Sequence, residues 1–507
     1  MKILLINSYQ RIPVHGANYP INTFQPLGLA YIANVLLKQG YQVAILDALA
    51  EGFDHEEIHG EYKYVGLPET EIKKRIINYH PDIIGVSMPF TAQAVSNHNL
   101  ARLIKKINKN IIIVAGGSYP TTYPKEILQD QNIDFLIRGE GENVFKDLVA
   151  EILAKNHRYD SIQGLVYRTS TGIKINHRQP LLENLDNYLP AWDLLPMEKY
   201  YQAACKVKSS RSMSTYGKRW ATIFTSRGCP FRCTFCVGHE VMGRLWRPRS
   251  TDNVISEMEM LINKYHIKHF DIEDDNFTLD KNRAKDICRK IINNNWGIQW
   301  STPNGIRADT VDEELVMLMK QSGCVRTIIA PESGDQTVVD NLMNKRINLV
   351  KVKNVVRWCQ KYGLAIDGFF LLGIPGEKEE NILKTINYAR KLRKIGMDEC
   401  LFGIVVPHKG TKVYETVIKN DWLKLPPHDH CLIESLAHEE ALIETPYLSI
   451  MQLKNLQKTA NRVNAIIPLS RFKLIFRLAV KTPFRFSKLL LSFLGKRLGL
   501  VSGKIGT

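Results

Sequence analysis

The sequence predicts an α/β protein in two parts: a doubly wound parallel sheet at the N-terminus, then a (β/α)6 partial barrel, with a helical, basic tail at the C-terminus. Two patterns carry this reading. Short apolar runs without polar alternation recur between amphipathic stretches over the first 150 residues, and the rhythm returns in longer units after residue 216. Strands buried on both faces read as continuous apolar runs, and the helices that join them cover a parallel sheet on both sides. Composition agrees, with 44% apolar and 23% charged residues over 507 positions. That is globular, and the chain is long enough for about two to four cores.

In residues 1–150 the expected strands are "KILLIN", "QVAILDA", "DIIGVSM", "IIIVAGG" and "DFLIRG". The intervening "PLGLAYIANVLLKQG" has helical periodicity and closes at Gly40, a helix stop. The opening "MKILLINSYQ" breaks its apolar run at Asn7 and so reads as a first strand, not an export signal. Such sheets bind ligands beyond the carboxyl ends of their strands. Those ends carry Ser8, then Ser87, Pro89, Phe90 and Thr91, then Gly116, Gly117 and Ser118, then Gly139 and Glu140. Glycine permits close backbone approach and the hydroxyls offer hydrogen bonds.

From 151 to 215 the rhythm lapses, and "QPLLENLDNYLPAWDLLPMEKYY" reads as a linker packed along the surface. Six strands are expected over 216–420, in "WATIFTSRG", "HFDIEDDNF", "IQWSTPNGIRAD", "VRTIIAPESG", "IDGFFLLGIPGE" and "CLFGIVVPH". A barrel of this kind places its site at the C-terminal strand ends. Residues 421–507 complete the chain as a helical region.

The formal charge of +17 is concentrated at the end: no acidic residue follows Glu444, while Lys473, Arg477, Lys481 and Arg485 recur every fourth position among apolar residues. That stripe fits a segment lying in a membrane interface, or a terminal helix docked on the protein with a solvated edge. Pro483 should kink it. No stretch reaches the roughly 18 apolar residues of a spanning helix. The expected location is cytoplasmic, with peripheral contact at the inner membrane face.

Nine cysteines in a chain without an export signal do not form a disulfide framework. Cys205, Cys288, Cys324, Cys359, Cys400 and Cys431 are scattered and read as packed core residues. Cys229, Cys233 and Cys236 instead crowd into "TSRGCPFRCTFCVG" after the first barrel strand. Zinc commonly takes two Cys-x-x-Cys pairs, and no partner pair occurs here. A [4Fe-4S] cluster held by only three cysteines keeps one iron open for a ligand.

This Cys-x3-Cys-x-Phe-Cys string resembles the radical S-adenosylmethionine (SAM) enzymes, with Phe235 in the aromatic place. The resemblance implies that Cys229, Cys233 and Cys236 hold a [4Fe-4S] cluster, that SAM chelates the open iron, and that its cleavage yields a 5′-deoxyadenosyl radical. By the same resemblance Glu273, Asp274 and Asp275 bind the methionine amino group. Glu332 and Ser333 hold the ribose and amino-acid part, Gly373 and Gly376 lie near the adenine, and Arg307 reaches the carboxylate.

"FQPLGLAYIANVL", "VAGGSYPTTYP" and "IRGEGEN" look like the Rossmann-like cobalamin-binding domain of one large subgroup, which includes hopanoid methylases and the anaerobic Mg-protoporphyrin monomethyl ester cyclase. Ser8, Ser87, Thr91, Gly116, Gly117, Ser118, Gly139 and Glu140 then become cobalamin contacts. The Asp-x-His-x-x-Gly string of many cobalamin proteins is missing, and His55 and His59 have the wrong spacing to replace it. That departure implies cobalamin without a protein histidine on cobalt.

The subgroup implies methylation of an unactivated carbon, and the basic tail favours an amphiphilic or lipid-like substrate. Non-methylating cyclisation of a tetrapyrrole or lipid is the alternative. Electrons would come from a flavodoxin or ferredoxin. RNA modification is the third reading; no nucleic-acid partner is expected, because the tRNA methylthiotransferases carry further cysteines in their N-terminal domain and this chain has none before Cys205.

Overall fold

The computed structural model describes residues 1–14, 23–206, 215, 217–424 and 441–466. The basic tail from residue 467 onward and Cys431 lie outside the described residues. Among the described residues no helix is long and apolar enough to cross a membrane.

The first sheet has seven strands. Five are parallel: Lys2–Asn7, Gln42–Asp47, Ile83–Ser87, Ile112–Gly116 and Phe135–Ile137. Numbered in chain order they run 2-1-3-4-5 across the sheet. Strand order therefore reverses between Lys2–Asn7 and Ile83–Ser87, the switch point where such sheets open a crevice.

The remaining two strands correct the sequence reading of 151–215. Leu165–Thr169 and Gly172–Ile175 form an antiparallel hairpin that extends the sheet past residue 150. Its second strand is half exposed, so it lacks the continuous apolar run that marked the others. The rest of the segment packs between the domains: Leu189 O accepts from Asn34 Nδ2 at 2.7 Å, Ala191 N donates to Ala30 O at 2.9 Å, and Trp192, Leu195 and Tyr200 are buried in the core.

The second sheet contains six strands in sequential order: Trp220–Ile223, His269–Ile272, Gln299–Ile306, Cys324–Glu332, Ala365–Leu372 and Glu399–Ile404. All five pairings are parallel. Helices such as Thr251–Tyr265 and Lys281–Asn294 start on side-chain caps from Ser250 and Asp280, which satisfy otherwise unpaired backbone N–H groups. Their inner faces bury Met258, Leu261, Ile287 and Ile291 against Phe270, Ile272 and Trp300. Each aliphatic side chain so buried contributes about 1.5–3 kcal/mol. Cys288, Cys324, Cys359 and Cys400 are packed core residues as expected, whereas Cys205 is exposed.

An open barrel leaves an edge strand whose backbone needs partners. Here Gln25 supplies them: its amide donates to Trp220 O at 3.2 Å and accepts from Thr222 N at 3.1 Å. The two domains are riveted again at Glu140. One carboxylate oxygen accepts from Arg227 at 2.8 Å, and the other from Arg247 at 2.6 Å and Leu182 N at 3.0 Å. Arg227 also bridges to Glu142 at 2.8 Å and stacks over Tyr31.

All four charged side chains of this junction are buried, none more than 7% exposed. Removing one partner strands the others in a low dielectric. Arg227→Met should therefore lower unfolding free energy by about 3–5 kcal/mol, read as a shift in denaturant midpoint. A shift below a tenth of that range would show the junction to be dispensable.

Candidate functional site

The cysteine loop begins where the short antiparallel ladder of Ser226–Arg227 with Arg247–Pro248 ends. Gly228 makes the turn with φ +83°, and a Cβ there would lie 2.3 Å from Leu245 O, so only glycine fits. Thr234 pins the middle of the loop: its N–H and hydroxyl donate to Met343 O and Leu342 O at 2.9 and 2.7 Å. Phe235 packs, half-buried, against an apolar cluster with Met343, Val405 and Val413.

Burial pushes the thiols of Cys229, Cys233 and Cys236 above the usual cysteine range, Cys236 to about 11. Lys345 and Arg307 act in the opposite direction at Cys229 and Cys233. Three thiols that resist ionisation alone, two of them half-buried beside Lys345 and Arg307 and the third, Cys236, exposed, suit an iron–sulfur cluster whose own charge stabilises thiolates. Gly238 N donates to Cys236 Sγ at 3.4 Å, a further contact that favours sulfur bearing negative charge.

The strand ends around this loop divide the expected SAM contacts into two kinds. Asp274 is buried and accepts from Thr225 N, Thr225 Oγ1 and Ser226 Oγ at 2.6, 2.5 and 2.7 Å. Its carboxylate is engaged in holding the stem of the cysteine loop. Asp275 accepts from Gly228 N at 3.1 Å and stays open to solvent, while Glu273 is half-buried at the strand end. Both stand at the end of the second strand, beside the cysteine loop.

Arg307 stacks its guanidinium 3.5 Å from the Phe231 ring centroid and forms two 3.0 Å bonds to Asp309. Glu332 holds φ +63°, a strained conformation for a bulky residue, and accepts from Lys345 Nζ at 2.7 Å. Ser333 is buried against Thr385, with the two hydroxyls 2.9 Å apart.

Sequence reasoning missed Lys345 and Phe231. Lys345 sits in an irregular turn between Asn344 and Arg346, both at positive φ, a geometry that no sequence motif announced.

At the fifth strand end, Gly373 has φ +82°, and a Cβ there would lie 2.5 Å from Leu453 of helix Ile450–Asn461. Gly376 faces Leu342 at 3.2 Å in the same sense. The need for glycine at both is met by protein neighbours. Beside them, Glu377 Oε2 accepts from Gly373 N at 2.7 Å and Ile374 N at 3.3 Å, while Oε1 is buried without a partner.

The residues expected to contact cobalamin gather at the switch point and next to it. Ser8 follows the first strand and Ser87 ends the third, with Thr91 buried just beyond. Ser8 Oγ, Ser96 Oγ and both amide atoms of Asn97 are buried there with no partner, which fits a polar ligand entering the crevice. Gly117 has φ +125°, and a Cβ would meet Met88 O at 2.6 Å; Gly116 precedes it and Ser118 opens a one-turn helix. Glu140 is the exception, because barrel arginines occupy both its oxygens.

The two sites face each other. A Cβ on Gly139 would lie 3.7 Å from Val241 O, in the short helix Gly238–Met242 that follows Cys236. Arg178 bonds to Glu240 on that helix.

Comparison with known proteins fits this geometry. Residues 20–149 match the B12 binding domain, and residues 223–389 match the radical SAM superfamily. The cytidylyl-2-hydroxyethylphosphonate methyltransferase of Streptomyces wedmorensis is 31% identical over 88% of this chain and 86% of its own. The chain belongs to the cobalamin-binding radical SAM family. An uncharacterized methyltransferase of Pyrococcus horikoshii, PH0819, is 33% identical over 83% of this chain and 84% of its own. The anaerobic magnesium-protoporphyrin IX monomethyl ester cyclase of Rubrivivax gelatinosus is 26% identical over 72% and 62%. The radical SAM methyltransferase TsrM of Kitasatospora setae, solved with cobalamin and a [4Fe-4S] cluster, shares the fold with a TM-score of 0.64 at 18% identity, over 84% of this chain and 79% of its own. The family enzyme uses a [4Fe-4S] cluster, SAM and cobalamin.

Two outcomes are expected. Cys233→Ala should abolish formation of 5′-deoxyadenosine from SAM while cobalamin absorbance still co-purifies with the protein. Retained cleavage would remove Cys233 from the cluster.

Burial also pushes the Glu377 carboxyl up to about 8 from 4.5. The folded state then binds more protons than the unfolded state across that interval, so this group makes stability fall as pH rises from about 4.5 to about 8. Glu377→Gln should flatten the decline in the apo-protein and gain roughly 2–4 kcal/mol above pH 8. Parallel pH profiles of the two proteins in thermal unfolding would refute this.

Proposed function

We propose that this protein methylates a carbon bearing no acidic hydrogen, on a small molecule seated between the cobalamin edge of the first domain and the cysteine loop of the second. The supporting observation is the apposition of Gly139 with the helix that follows Cys236, fixed by the Arg227–Glu140–Arg247 bridge. When bound, the cluster with SAM supplies a hydrogen-abstracting radical and cobalamin supplies the methyl group. The chain's own part is placement. Glu273 and Asp275 accept from an ammonium, Lys345 and Arg307 lend positive charge beside the thiols, and the buried junction keeps the two edges in register.

The substrate class and partners belong to this proposal. The amphiphilic or lipid-like class rests on the basic C-terminal segment, and the Streptomyces relative is named for a cytidylylated phosphonate. Both share a polar part and a reacting carbon that is not acidic. A flavodoxin or ferredoxin, acidic as such carriers are, suits a chain of net charge +17 as electron donor. Cyclisation without methyl transfer is the second reading, supported by the Rubrivivax relative.

Product analysis separates the two. Anaerobic turnover with reductant, SAM and host-cell extract should give S-adenosylhomocysteine and 5′-deoxyadenosine in about equal amounts, because each methyl transferred consumes one SAM as methyl donor and one as radical source. Deoxyadenosine with a demethylated-SAM yield near zero, in the presence of a converted substrate, would select cyclisation.

A further inference from the structure

We propose that the interior of the barrel, beneath the strand ends that face SAM, is a recognition pocket for a neutral, hydrogen-bonding group of the substrate. The inference rests on the methyl-transfer reading above and adds the polar chemistry that the substrate must carry.

The pocket follows from strand alternation. Ala221 and Ile223, Phe270 and Ile272, and Ile366 and Phe370 all pack outward in the core shared with the helices. Thr222, His269, Asp271 and Asp367 therefore face the barrel interior. Branched apolar side chains usually fill that space. Here it is polar.

Three of these side chains are incompletely bonded. Thr222 Oγ1, His269 Nδ1 and Asp367 Oδ1 have no hydrogen-bond partner, on residues 5%, 0% and 4% exposed. Their other polar atoms are fixed. His269 Nε2 lies 3.1 Å from Asp271 Oδ1 and 3.4 Å from Ser301 Oγ, so Nε2 donates and Nδ1 is left as an acceptor. Arg326 pairs with Asp367 Oδ2 alone. A buried polar atom without a partner costs stability that nothing else in the protein offsets, and three facing one interior mark a place where a ligand completes the bonds.

Position and charge narrow the ligand. Asp271 lies two residues before Glu273 on the same side of its strand, so the pocket begins about 7 Å below the SAM-facing end. A substrate could hold its reacting carbon at that end and its polar group below. Asp271 and Asp367 line the interior and Glu399 stands opposite Asp367 in register, which disfavours a phosphate or carboxylate there, while the Arg326 guanidinium on Asp367 disfavours a cation. Hydroxyls or the amide edge of a heterocycle, able both to donate and to accept, match the open atoms. A bare hydrocarbon leaves all three unpaired.

The test uses the full-length holoenzyme with the small-molecule extract of host cells as the titrated probe. The readout is S-adenosylhomocysteine formed. Thr222→Val removes an unbonded hydroxyl without changing shape, so its unfolding midpoint should equal or exceed that of the parent. The amount of extract giving half-maximal rate should nevertheless rise about tenfold, with the maximal rate and substrate-free SAM cleavage within twofold. Asp367→Asn, which keeps the side-chain shape beside Arg326, should show the same split.

Unchanged half-saturation in both variants would overturn the proposal and leave the interior to ordered water. A lowered midpoint for Thr222→Val would also count against it, since the hydroxyl would then be structural. Wild-type protein that cleaves SAM but forms no extract-dependent S-adenosylhomocysteine would fail the methyl-transfer reading itself and take this inference with it.

Discussion

The arrangement depends on a buried charge junction in which Glu140 and Glu142 of the first domain are gripped by Arg227 and Arg247 of the second. Taking four charges out of water is costly, and only close, multiply bonded geometry offsets the loss. The geometry here is close: both guanidinium ends of Arg227 are occupied, and Arg247 also donates to Leu182 O and Met242 O. Such a junction tolerates little sliding. Because Arg227 stands two residues before Cys229, the register it imposes passes directly to the cysteine loop.

That loop is held from three more directions. Asp274 ties its stem to the second strand, Thr234 ties its middle to the segment after the fourth, and Val413 N donates to Thr234 O from beyond the sixth. The thiols are thus positioned by elements separated by nearly two hundred residues. Preorganisation of this kind matters for radical chemistry, where the hydrogen to be abstracted and the methyl group to be delivered must lie on the same carbon. The polar barrel interior adds a way to fix that carbon from below.

Some of this was legible in the chain and some was not. The five parallel strands of the first sheet were marked by continuous apolar runs, since burial on both faces excludes polar residues locally, and the six of the barrel by their alternation with helical stretches. The hairpin Leu165–Thr169 and Gly172–Ile175 escaped because its outer strand is half solvated. The cysteines were legible because their function is written in spacing within one loop. Asp274 and Glu140 were recognised as important acids but assigned to cofactors, whereas their partners prove to be Thr225 and Ser226 in one case and Arg227 and Arg247 in the other.

The sequence by itself determined the two-domain α/β plan, the three-cysteine loop and the family resemblance, because each depends on residues near one another along the chain. Tertiary structure alone decided which acids bond within the fold and which stay open at the strand ends. It also brought Lys345 beside the thiols, set Leu453 against Gly373, and turned Thr222, His269 and Asp367 into one interior. The reason is physical: a side chain's role is set by what lies within a few ångströms of it, and closing a sheet makes neighbours of residues that the chain keeps far apart.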